Sequence, residues 1–141
     1  MTRESSEEIQ VHVQGRPPLK QVSTDFAGKR RNLQAKQALR RAVREVLGQR
    51  YGVGEDRGLP WLPRKDKVYL EIRFYRARSQ ADSANIIGGI ADALQALLYA
   101  NDRQLSVLIY EEDGDGRHET EYTIKVGRHI KGLISRVYTN Y

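Results

Sequence analysis

From Lys67 to Tyr75 the chain alternates without a break, with Val68, Leu70, Ile72 and Phe74 on one side and Tyr69, Glu71, Arg73 and Tyr75 on the other. A period of two belongs to a strand that keeps one face in an apolar interior. Such a strand cannot stand alone; it needs partner strands and a layer over its apolar face. Both have to come from 141 residues, a length that suits one domain with one core.

The partners are readable elsewhere. Ile9, Val11 and Val13 alternate with Gln10, His12 and Gln14, and Gly15–Lys20, GRPPLK, stops that strand. Leu105–Tyr110 and Glu119–Val126 flank the turn-rich EEDGDGRHE, which predicts an antiparallel hairpin. Two helices supply the covering layer. In Asn32–Gln49, Leu33, Leu39, Ala42, Val43, Val46 and Leu47 recur at helical spacing, with Asn32 as N-cap and Gly48 near the end. In Asn85–Ala100 the same spacing holds for Ile86, Ile90, Ala93, Leu94 and Leu97. Gly88 and Gly89 each cost that helix about 1 kcal/mol relative to Ala, so something is expected to pack closely there. Tyr51–Lys67 reads as a long loop anchored by Trp61, and Gly127–Tyr141 as a basic tail with a short helix around Ile130–Val137. The order strand, helix, strand, helix, strand, strand predicts an α+β fold, a mixed β-sheet covered by two main helices, in a single domain over residues 8–141 behind a loose end at 1–7.

Composition excludes several chemistries. There is no cysteine, hence no disulfide or thiolate metal site, and a reducing cytoplasm is the expected compartment. No run approaches the roughly 18 apolar residues of a membrane span, and the N-terminus lacks the order of a signal peptide, so no membrane partner is expected. His12, His118 and His129 lack ligand spacing, no Ser/His/Asp pattern stands out, and GVGEDRG lacks the Lys and following helix of a phosphate loop. A net charge of +6 points to a polyanionic partner. Lys29, Arg30 and Arg31 form a basic run, and Lys36, Arg40, Arg41 and Arg44 share the polar face of the first helix. Taken singly, each of these is better explained by solvation.

The remaining candidates are acidic. Asp82 precedes the second helix, Asp92 lies within it and Asp102 follows it. An Asp beside a helix start is commonly a cap. If the strand at Leu105 lies beside the strand ending at Tyr75, Asp82 and Asp102 could instead reach one sheet edge and hold a hard cation such as Mg²⁺ against a phosphate.

The segment Ala81–Leu105, ADSANIIGGIADALQALLYANDRQL, resembles the RusA family of Holliday-junction resolvases, small Mg²⁺-dependent endonucleases common in phages and prophages. The family pattern is D-x-D-N-x-x-K entering a helix, then D-A-L, then D-D-x-Q and a hydrophobic residue opening the next strand. Asp82, Asn85, Asp92-Ala93-Leu94 and Asn101-Asp102-Arg103-Gln104-Leu105 match it. The opening strand, GRPPLK and the basic helix also look like the family's N-terminal third. Three positions depart: Ala84 replaces the second catalytic Asp, Gly88 the Lys, and Asn101 the first Asp of the pair.

The resemblance implies a RusA-like fold and a homodimer that binds branched DNA in recombination or repair. It makes Asp82 and Asp102 the remaining catalytic and Mg²⁺-binding residues. Lys29, Arg30, Arg31, Lys36, Arg40, Arg41, Arg44, Arg73, Arg76 and Arg78 become the DNA-binding surface, through phosphate contacts without base readout. With a carboxylate and a cation missing, Mg²⁺-dependent cleavage is expected to be weak or absent, since one electrostatic contact at a phosphoryl centre is worth about 10²- to 10³-fold. Two alternatives stay open: an active resolvase whose site is rebuilt with Glu71 and with Arg76 or Arg78, and a non-catalytic assembly subunit that binds a protein.

Overall fold

The computed structural model describes residues 8–22, 25–51, 61–75, 82–113 and 120–129. Its elements run β1 (Glu8–Gln14), α1 (Phe26–Tyr51), β2 (Val68–Tyr75), α2 (Ser83–Leu94), a single 3-10 turn (Asp102–Gln104), β3 (Leu105–Asp113) and β4 (Glu121–Arg128). The four strands form one mixed sheet in the order β1-β4-β2-β3. This is the α+β architecture expected, two helices on a mixed sheet. No helix of the described residues is long and apolar enough to cross a membrane.

The alternating residues assign the faces. Val68, Leu70, Ile72 and Phe74 of β2 and Tyr122, Ile124 and Val126 of β4 are buried, and Ile9, Val11 and Val13 of β1 join them. Onto that face α1 brings Leu39, Val43 and Leu47, and α2 brings Ile86, Ile90, Ala93 and Leu94. Trp61 packs half-buried against the same core. On the other face Gly127 lets the Tyr69 ring lie flat across β4, since a Cβ there would sit 2.7 Å from the Tyr69 hydroxyl oxygen. Tyr69 thereby reaches β1, where its hydroxyl donates to Glu8 Oε2. Burial pushes the Glu8 carboxyl above its ordinary value; Glu71 adds to the rise, and Lys125 and Arg50 oppose it.

Four sequence expectations need correction. The hairpin of the last two strands does not form: β3 pairs in parallel with β2, Val68 opposite Leu105 and Tyr75 opposite Asp113, while β4 pairs antiparallel with β2 on its other side and with β1. The most apolar strand takes the interior place, and β3, ending Glu111-Glu112-Asp113, takes an edge, where charge discourages further pairing. The first helix starts at Phe26, not Asn32, because Asp25 accepts from the Gly28 N–H and so caps it seven residues earlier. Leu33 consequently points outward, 53% exposed. The second helix runs Ser83–Leu94 rather than to Ala100: Gln95 leaves helical geometry and Ala96 takes φ 68°. The chain then doubles back so that Leu97, Leu98 and Tyr99 are buried and the Tyr99 hydroxyl donates to the Ala91 carbonyl at 2.7 Å. The loose end at 1–7, most of the long loop and the tail helix around Ile130–Val137 lie outside the described residues.

Candidate nucleic-acid interface

The loop after β1 is the first component. Gly15, at φ 106°, turns the chain and donates to Thr120 at 2.8 Å, and Arg16–Val22 then run over both helices. Two asparagines clamp this loop with paired amide bonds of the kind one strand offers another. Asn32 of α1 accepts from Leu19 N–H at 2.7 Å and donates to Leu19 C=O at 3.0 Å. Asn85 of α2 does the same to Gln21, at 2.7 and 2.8 Å. The paired glycines are explained here: a Cβ on Gly89 would lie 2.1 Å from the Pro18 carbonyl oxygen, so only glycine admits the loop. Over Gly88 passes the stem of Lys20, whose ammonium reaches Asp92 at 3.0 Å. A cation is therefore supplied near the position where the RusA pattern has its Lys, but it is already paired.

The crossover from β2 through α2 to β3 positions the two aspartates. Asp82 is the N-cap of α2, accepting from Asn85 N–H at 2.7 Å. Asp102 opens the 3-10 turn beyond the other end of the helix, close enough to Tyr99 that burial, Asp102 and Asp92, in that order, raise the phenol's pKa. The strands do lie side by side, as the metal reading required. They are parallel, however, so the crossover carries the chain from one end of the sheet to the other. The twelve residues of α2, about 18 Å of helix, and the turn that follows them separate the two aspartates along the chain. Among the described residues no group of three or more His, Asp or Glu side chains could hold a metal. Glu71, the candidate replacement, sits half-buried on the face of β2 opposite the core, one of the charges acting on Glu8.

The expected DNA-binding cations divide into three groups. Lys29, Arg30, Arg31, Lys36, Arg41 and Arg44 are exposed along α1, and none takes part in an ion pair among the described residues. From Lys29 to Arg44 they cover about 22 Å of helix axis, with no acidic residue between Asp25 and Glu45. Arg40 and Arg73 are otherwise engaged. Arg40 donates to the Ala93 carbonyl at 2.7 Å and faces that of Gln95 at 3.4 Å, closing the C-terminal end of α2; burial and Arg44 hold its pKa below the ordinary value. Arg73 is bound to Glu111 at 2.7 Å, and hydrogen bonds to Glu111 and Tyr75 push its pKa up. Arg76 and Arg78 lie outside the described residues.

Sequence reading missed Arg16, which with Arg31 flanks a cleft of about 240 Å³ between the clamped loop and α1, floored by Pro17, Leu19 and Ala35. Its signal was weak, a lone cation in a loop. Also missed was the pairing of His129 Nδ1 with Ser106 Oγ at 2.6 Å, across the start of β2. No carboxylate among the described residues pairs with His129, so the two do not make a triad. Neither the known family models nor the curated proteins contain a match to this chain.

Proposed function

We propose that this protein binds branched DNA, as a RusA-like homodimer acting in recombination or repair, with Mg²⁺-dependent cleavage weak or lost. The observation that carries this reading is the basic face of α1, six exposed cations on one helix with no partner among the described residues. Fixed cations along a straight axis match a phosphate backbone that bears one charge per about 1.7 Å of duplex. They read charge and shape, not bases. The loss of cleavage is supported by the use of the Asp82 carboxylate as the cap of α2.

Gel shifts and cleavage assays on a four-way junction and on linear duplex, with and without Mg²⁺, test the reading. Tighter binding to the junction is expected, weakening steeply with salt, with a log–log slope of about −0.9 for each phosphate contacted. No cleavage should accompany it. Absence of binding even at low salt would refute DNA binding. Cleavage that requires Mg²⁺ and disappears in Asp82→Asn or Asp102→Asn would restore the active resolvase.

One observation favours the assembly-subunit alternative: Phe26, 79% exposed, and Leu33, 53% exposed, lie seven residues apart on the outward side of α1. That spacing suits apolar anchors for a protein partner. Under this reading Phe26→Ser with Leu33→Ser abolishes partner binding, and DNA binding stays weak and blind to structure.

A further inference from the structure

At the Asp102 end of α2 the segments before β2 and before β3 face one another across a second cleft, of about 280 Å³. Arg64, Lys65 and Lys67 line it from one side, and Asn101 and Arg103 from the other. All four cations are exposed, and none is paired among the described residues. The acid in the lining, Asp66, faces Arg128 at 3.2 Å and is already neutralised. Asp102, though next in sequence, is not part of the lining.

Four like charges around one concavity repel each other, an arrangement that favours an anion in their midst. The frame that holds them is rigid. Gln104, 3% exposed, accepts from Ala100 N–H at 2.8 Å and Asn101 N–H at 3.1 Å, and donates to the Pro63 and Asp66 carbonyls at 2.7 and 2.8 Å. One amide thus ties both walls of the cleft together. Leu62 N–H to Leu98 C=O at 2.9 Å adds a backbone tie, and His129 N–H to Lys67 C=O at 2.8 Å holds the same segment to the end of β4. Cations on a fixed frame lose little freedom when a ligand arrives.

We propose that this cleft is a phosphate-binding site, taking the phosphates of a polyanion, either a nucleic-acid backbone or a free polyphosphate. As a second contact for DNA it builds on the nucleic-acid reading of α1. The cleft's own affinity for phosphate does not depend on that reading.

Backbone amide spectra recorded during titration with tripolyphosphate, and salt-dependent binding of a short single-stranded oligonucleotide, test the site. They are compared for the native protein, for Lys67→Ala with Arg103→Ala, and for Arg41→Ala with Arg44→Ala on α1. All four side chains are exposed, and unchanged circular dichroism confirms each fold. Tripolyphosphate is expected to move the amides of Lys65, Lys67 and Arg103 in the native protein and to leave the amides at the same three positions still in the cleft variant. Oligonucleotide binding in the cleft variant should lose about one unit of salt slope per cation removed. If the amides move but the oligonucleotide responds only to the α1 substitutions, the site stands with a free polyphosphate as its ligand. If they move and the native protein binds no nucleic acid, the site stands and the DNA reading falls. Still amides, with oligonucleotide binding equal in native and cleft variant, overturn the site while leaving α1 untouched.

Discussion

At the N-terminal end of α2, Asn85 spends both amide atoms on Gln21 and Asp82 spends its carboxylate on the first turn. At the C-terminal end, Gln104 spends its amide on four backbone groups, and the Asp102 carboxylate makes no hydrogen bond among the described residues. Both ends are thus pinned by an amide, but the carboxylate is structural at one and idle at the other. The two aspartates look alike in sequence. They differ because a parallel crossover puts one before a helix that needs a cap and the other before an exposed turn already capped by Asn101.

The comparison is easiest to break at Gln104. Gln104→Leu strands two carbonyls and two N–H groups, all part-buried, and should cost about 3 kcal/mol in urea unfolding. An effect below about 1 kcal/mol would mean that those groups find other partners. The glycines probe the opposite end. Gly89→Ala drives a methyl into the Pro18 backbone and should destabilise by about 2–3 kcal/mol. Gly88→Ala meets Lys20 Cβ at 3.1 Å, a tight contact but not a backbone clash, and should change stability by no more than about 1 kcal/mol. Thermal denaturation of the pair reads the contrast directly.

The aspartates themselves are predicted to separate more gently. Asp82→Ala removes a cap, worth about 1 kcal/mol. Asp102→Ala should stay within about 0.5 kcal/mol, as at any unpartnered surface site. Equal losses would show that Asp102 has a structural role after all. The smallest effect is expected at Ala96, exposed with φ 68°: Ala96→Gly relieves left-handed strain and should raise stability by about 0.5 kcal/mol, seen as a small rise in Tm.

Locally encoded features were legible. The alternation in β1 and β2, the apolar spacing of α2 and the close approach at Gly88 and Gly89 each sit within a few residues, and the structure places them as expected. The start of α1 was hidden because the one large apolar residue in its first turn, Phe26, faces solvent and so does not share the phase of the buried Leu39, Val43 and Leu47. The end of α2 was hidden because Ala96 is a good helix former, and only the burial of Leu97, Leu98 and Tyr99 turns it aside. The exchange of neighbours among β2, β3 and β4 has no local signature at all, since EEDGDGRHE reads as a tight turn wherever its flanking strands go. Of the candidate interface, the α1 cations were legible as charge, but the other engagements of Arg40 and Arg73 depend on residues 38 to 55 positions away.

The place of β4 between β1 and β2 sets an order of events for a chain made from its N-terminus. Among the described residues β1 has no strand partner except Glu121–Arg128, so its backbone groups wait through more than a hundred residues of synthesis. β2 and β3 can join earlier, around the crossover. β4 is therefore the keystone, and a ribosome-bound chain halted before Glu121 would hold the β2–β3 crossover and a β1 segment without the strand it pairs with.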